Sequence, residues 1–227
     1  MKSKNKSYLE RAVGISVFSA LAFIIALVFN IIPPVAGFLS LDAKDAVISI
    51  AAFIYGPISG VAIAFIAALV EFLTFSTTGW YGLIMNFASS AVFATTAALI
   101  YKFKRSVNGA LVGFFTAVVA TTGVMLCLNY FVTPIYLHDF VGLPEAVAVN
   151  TVIDYLPRIL LPFNAAKSLM NAAFAMLLYK PVLLALSRAG LLSKKKVSFT
   201  FNRNTVAIIV TGAAFLVISI GTLIMIW

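Results

Sequence analysis

The chain has 227 residues, of which 63% are hydrophobic and 10% charged, with a mean hydropathy of +1.09. Soluble domains are closer to half apolar and one-quarter charged, and disordered chains are poorer in apolar residues still, so both classes are excluded. A lone cysteine and a lone histidine leave no intrachain disulfide and no Cys/His cluster. The composition is that of an all-α integral membrane protein of one-domain size.

A helix needs roughly 20 mostly apolar residues to cross the hydrocarbon core. The first such run covers residues 11–32, behind the basic stretch Lys2, Lys4 and Lys6. That opening resembles a signal peptide, but the run is long and lacks a small-x-small cleavage site, so the helix is expected to be retained. Within it, Ala12, Ser16 and Ala20 recur every four residues, a spacing that lets another helix approach closely, inside the bundle or from a partner. Residues 43–75 are apolar but too long for one span. The Gly56-Pro57 pair divides them into helices at about 43–56 and 57–75, with Pro57 suited to a first helical turn. Further runs at 81–101, 108–134, 162–184 and 205–227 bring the expected total to seven.

Thirteen of the 16 Lys and Arg fall on one face if all seven segments cross: those before the first helix, Lys102 to Arg105, and the group from Lys180 to Arg203. The positive-inside rule makes that face cytoplasmic, with the N-terminus inside and the C-terminus outside. Because these charges sit in short loops beside spans, topology and anionic lipid account for the net charge of +9 better than nucleic acid does.

Several chemistries are missing. His138, read as a solvated loop residue, cannot form a paired-imidazole metal site or a Ser-His-Asp triad in the membrane. No P-loop stretch exists, so energy for any transport has to come from a partner. Glu71 is the one candidate for a proton relay, and the end of a short helix explains it equally well.

Polar residues gather instead in the outer halves of the spans. Asn86, Asn129 and the set Asn164, Lys167 and Asn171, which shares one helix face, lie at similar depth beside Phe38, Trp80, Tyr81, Phe131, Tyr136 and Phe163. The 33–45 loop is placed to close over them. Amides, one ammonium and aromatic walls suit a flat heteroaromatic ligand with a hydroxylated tail. Interfacial aromatic belts, interhelical Asn bonds and a snorkelling Lys167 are the structural alternatives. Arg158 is expected to pair with Asp154 one turn away.

The stretches Leu41-Asp42-Ala43-Lys44-Asp45, Gly56-Pro57, Gly82 to Phe87, Asn129-Tyr130-Phe131 and Leu161-Pro162-Phe163-Asn164-Ala165-Ala166-Lys167 occur in an order that resembles the riboflavin-specific substrate-binding subunits (S-components) of energy-coupling factor (ECF) transporters. The resemblance covers about residues 8–185. It implies a six-helix bundle in the bacterial plasma membrane that binds riboflavin, as cargo rather than cofactor, from outside. The chain is then a transport subunit rather than an enzyme, working with a transmembrane coupling protein and two ABC-type ATPases. Asn129, Asn164 and Lys167 match the family's ligand contacts, and Phe38, Leu41 and Asp42 lie in the loop that covers the ligand. Tyr81 and Asn86 join the expected site, and Ala12, Ser16 and Ala20 match the docking surface for the coupling protein.

Departing from the family, a basic linker at 186–204 and a seventh span at 205–227 follow the six-helix domain at 1–185. Another vitamin, thiamine or a phosphorylated flavin, is the first alternative ligand, with Lys167 or Arg158 meeting a phosphate. A lipid-modifying enzyme or a ligand-free structural protein stands further off. Either Asn164→Ala or Lys167→Ala is expected to weaken binding by at least about tenfold without unfolding the bundle. The structural alternative expects Lys167→Ala to relieve a buried charge.

Overall fold

The structure is a computed structural model that describes residues 2–104, 106–188 and 203–226. Most of the 186–204 linker, with Lys194 to Lys196, therefore lies outside the described residues. Eight α-helices are found among those described: α1 (Lys2–Phe29), α2 (Lys44–Tyr55), α3 (Pro57–Thr74), α4 (Gly79–Phe103), α5 (Val107–Asp139), α6 (Glu145–Tyr155), α7 (Leu161–Arg188) and α8 (Arg203–Ile226). Six stretches are long and apolar enough to cross a bilayer unaided, and the protein is a multi-pass membrane protein.

The seven expected segments correspond to α1 to α5, α7 and α8, with two corrections. First, α2 has only 12 residues, about 18 Å at the helical rise, too short to cross alone. It begins inside the bundle, because residues 41–43 of the preceding loop and the first turn of α2 are already buried. Leu41 and Asp42 lie at the level of Ala26 of α1 and of Asn30 in the turn after it, whereas Tyr55 at the far end of α2 packs on Gly14 and Phe18. Loop and helix together make this crossing. Second, the stretch before α7 is not a plain loop. It holds α6 and a π-helical turn, Leu156–Leu160, which runs directly into α7. α6 is too short for a span and carries Glu145, Asn150 and Asp154, so hydropathy alone does not mark it. α5 continues five residues past the expected end, through Pro134, and so takes His138 into its last turn. There His138 Nδ1 lies 2.8 Å from the Leu143 carbonyl oxygen.

The Gly56-Pro57 break forms as expected. Gly56 has φ +95°, a conformation that a Cβ disfavours, and Pro57 opens α3. α4 and α5 cross closely at Gly113, where an added Cβ would lie 2.9 Å from the Ala97 carbonyl oxygen.

Side-chain contacts define two ends of the bundle. At one end Arg11 Nε donates to Ser59 Oγ at 2.9 Å, and Phe53, Tyr101 and Tyr179 cluster, with the Tyr101 and Tyr179 hydroxyls 3.1 Å apart. The polar site occupies the opposite half. α8 runs antiparallel to α7: Lys180 Nζ bonds the Thr205 hydroxyl near one end, and Ser219 Oγ donates 2.7 Å to the Ala166 carbonyl near the other. Gly212 meets Ala173 and Leu177 midway. The final helix is thus seated along α7, with Val217, Ile224 and Met225 facing outward.

Candidate ligand-binding site

Five elements enclose a cavity of about 680 Å³ of empty space, its open mouth included. The loop before α2 contributes Phe38, Leu39 and Ser40. α4 supplies Tyr81, Met85, Asn86 and Ser89, and the loop before it supplies Thr78. From α5 come Met125, Asn129, Thr133 and Tyr136, and from α7 come Phe163, Asn164 and Lys167. The π-helical turn adds a residue per turn just before α7, offsetting the helix face that follows it, and Phe163, Asn164 and Lys167 lie on the face that meets the cavity.

Six of the expected site residues therefore line one cavity: Phe38, Tyr81, Asn86, Asn129, Asn164 and Lys167. Leu41 and Asp42 do not. Leu41 packs in the apolar core, and Asp42 lies behind the wall in a smaller side cavity with Asn30, Glu71 and Asn86. Asn171, expected on the ligand face, is fully buried and structural. Its Oδ1 accepts from Ala46 N at 3.0 Å and its Nδ2 donates to the Asp42 carbonyl at 2.9 Å, pinning the start of α2 to α7. Trp80 and Phe131 are exposed on the outer surface, where Trp80 stacks on Tyr81 with centroids 3.8 Å apart. Tyr136 bridges Phe38 and Tyr81 by ring contacts of 5.9 and 5.6 Å, making a continuous aromatic wall.

The amides are held by their own helices. Asn129 Nδ2 donates to the Met125 carbonyl at 2.7 Å, and its Oδ1 accepts from the Thr133 hydroxyl at 2.9 Å. Asn164 Nδ2 donates to the Leu160 carbonyl at 2.8 Å, and the residue lines the cavity. Lys167 does not snorkel. Its Nζ lies 2.7 Å from Asp42 Oδ2 and donates to the Ser40 carbonyl at 3.0 Å, so two of its three protons are used and one remains for the cavity.

Behind this wall lies a buried ionic network that the loop reading of Lys44 missed. Lys44, 1% exposed, bonds Glu71 Oε2 at 2.8 Å and Asp42 Oδ2 at 3.3 Å. Asn86 Nδ2 reaches the same Glu71 oxygen at 3.3 Å, and Ser90 Oγ bonds Asp45. The ammonium groups of Lys167 and Lys44 meet the buried Asp42 carboxylate at 2.7 and 3.3 Å and offset the cost of burying its charge. The network ties the 40–45 segment to α3, α4 and α7, so the loop that roofs the cavity is anchored by charge. Glu71 does lie in the last turn of α3, as the helix-end reading has it, but it is buried and paired with Lys44 rather than an isolated relay group. The signal available in the sequence was the alternation of Asp42, Lys44 and Asp45 at the mouth of an apolar segment, an expensive placement unless the charges meet.

Residues 10–183 match the family described as ECF transporter, substrate-specific component. The chain belongs to this family. It is 32% identical over 177 residues to the riboflavin transporter RibU of Staphylococcus aureus (strain TCH60), across 75% of this chain and 89% of that protein. It is 26% identical over 178 residues to the riboflavin transporter FmnP of Bacillus subtilis (strain 168), across 75% of this chain and 91% of the relative. A solved S component of a bacterial ECF transporter superposes with a TM-score of 0.64 at 32% identity, covering 80% of this chain and 99% of that one. This S-component is a transport subunit, not an enzyme, and ATP hydrolysis belongs to separate partners. The family match stops before α8, which lines no part of the cavity.

On α1 of the S-component, Ala12, Ser16 and Ala20 all face outward, while Gly14, Phe18, Ala22 and Ala26 turn toward the bundle. Packing within the bundle therefore does not account for the outer stripe. Arg158 and Asp154 form the expected pair at 3.0 Å on the exposed surface, remote from the cavity lining.

Proposed function

We propose that this S-component binds riboflavin in the cavity between α4, α5 and α7 and delivers it for uptake as the substrate-specific subunit of an ECF transporter. The observation that carries the reading is the lining: the aromatic Phe38, Tyr81, Tyr136 and Phe163 together with Asn86, Asn129, Asn164 and Lys167. An isoalloxazine ring takes apolar faces, and its uracil-like edge and ribityl hydroxyls take the amides, hydroxyls and ammonium. Each such buried polar group left unpaired costs about 1–3 kcal/mol, so a matched set selects its ligand strongly. The names of the two relatives favour the same cargo.

In this reading Asn129, Asn164 and Lys167 bond the ligand, Tyr81 and Asn86 complete its walls, and the segment from Phe38 through Leu41 to Asp42 roofs it. Leu41 and Asp42 act from behind, by seating that segment. The outward stripe of Ala12, Ser16 and Ala20 docks a transmembrane coupling protein, which works with two ABC ATPases. The cavity end faces outside and the Arg11, Lys102 and Lys180 end faces the cytoplasm, in a bacterial plasma membrane with the C-terminus outside. Residues 1–185 form the binding unit, joined through 186–204 to the accessory helix at 205–227.

The test is a titration of the detergent-purified chain with riboflavin, following quenching of flavin fluorescence. Saturable one-to-one quenching, or a flavin spectrum in the purified protein, is the expected result. A monodisperse sample that neither carries nor quenches flavin rejects the proposal.

A further inference from the structure

We infer that Glu71 makes this site selective for a ligand with an uncharged hydroxylated tail and against its phosphomonoester, through a side cavity that a tail can enter. The inference rests on the flavin reading above and adds the residue that decides between riboflavin and riboflavin 5′-phosphate.

The side cavity adjoins the main one, and Ser40, Thr78 and Asn86 line both. Beside the apolar Ala26, Leu41 and Phe75, its further walls are the polar Asn30, Asp42, Glu71, Ser76 and Thr77, with no cation among them. Glu71 is 3% exposed. Its Oε2 is bonded by Lys44 and Asn86, but its Oε1 is buried without a hydrogen-bond partner. A buried carboxylate oxygen in that state calls for a donor, and a ligand hydroxyl supplies one.

A phosphate supplies the opposite. It carries about −1.5 to −2 charges at neutral pH and only acceptor oxygens to meet Glu71 Oε1. No cation lines the side cavity to answer it. Lys167 lines the main cavity instead, bonded to Asp42 and the Ser40 carbonyl, and Lys44 lies between Asp42 and Glu71. Asp45, bonded by Ser90, is a third buried carboxylate beside Lys44 in sequence. Arg158, the other cation considered for a phosphate, pairs with Asp154 on the surface. Like charges brought together in a desolvated site discriminate against a ligand more strongly than lost contacts do.

The test measures dissociation constants of riboflavin and riboflavin 5′-phosphate side by side for the wild-type chain, E71Q and T77K. Glu71→Gln keeps the shape and removes the charge. Thr77→Lys adds a cation from an exposed loop position on the side-cavity wall, away from the buried network, and decides the matter if E71Q is not monodisperse. In the wild type, riboflavin is expected to bind at least about tenfold more tightly than its phosphate. Each variant is expected to narrow that ratio by about tenfold or more. Equal affinities in the wild type, or a ratio unmoved in a folded variant, overturn the role of Glu71 while leaving riboflavin as the ligand. Failure of the wild type to bind either flavin overturns the flavin reading itself, and this inference with it.

Discussion

Lys167 offers the sharpest test because one substitution reads out both stability and binding. Its ammonium is 2.7 Å from Asp42 Oδ2 and bonds the Ser40 carbonyl, in surroundings that leave the residue 8% exposed. Two unit charges about 4 Å apart attract by about 4 kcal/mol at an effective dielectric constant near 20. Lys167→Ala forfeits that attraction but no longer has to bury an ammonium, and Asp42 keeps Lys44 at 3.3 Å. The net loss is therefore expected to fall below the full 3–5 kcal/mol of a broken buried pair, at about 2–3 kcal/mol. SDS-induced unfolding in mixed micelles without ligand, followed by circular dichroism, measures it. Asp42→Asn is made alone and together with Lys167→Ala, and the double variant should be about 2 kcal/mol more stable than the two single losses added. Riboflavin affinity of Lys167→Ala should fall separately by about tenfold to a hundredfold, the worth of a charged hydrogen bond. A Lys167→Ala protein as stable as wild type, or additive single losses, would refute the paired-charge argument. A gain in stability, as expected of an unmatched buried lysine, would refute it most directly.

Asn164→Ala and Asn129→Ala should each weaken riboflavin by about tenfold in the quenching titration, with the helical circular-dichroism signal retained. Unchanged affinity in both would move the ligand elsewhere. A chain ending after Arg188 should bind riboflavin within about threefold of the full chain, because α8 packs on the back of α7 and lines none of the cavity. Gly113→Ala should lower stability by about 1–3 kcal/mol in the same SDS titration, since its methyl would press on the Ala97 carbonyl where α4 and α5 cross.

Much of the architecture follows from solvent. A bilayer admits only helices whose backbone bonds close within the segment, so length and apolarity located α1, α3, α4, α5, α7 and α8 without any knowledge of packing. The break at Gly56-Pro57 was equally legible, because the backbone chemistry of those two residues is local. So were Asn86, Asn129, Asn164 and Lys167, since polar groups at membrane depth are costly enough to mark a cavity. Packing decided the rest. Whether an amide faces ligand or protein depends on what the neighbouring element presents, and Asn171 faces the start of α2 whereas Asn164, seven residues earlier, faces the cavity. The pairs Lys44–Glu71 and Lys167–Asp42 are 27 and 125 residues apart in sequence, and only the tertiary fold brings their charges within bonding distance. That same long-range contact makes a short α2 tolerable: its polar start is buried among partners instead of lying in a surface loop, and the site forms at that depth because the charges there are matched.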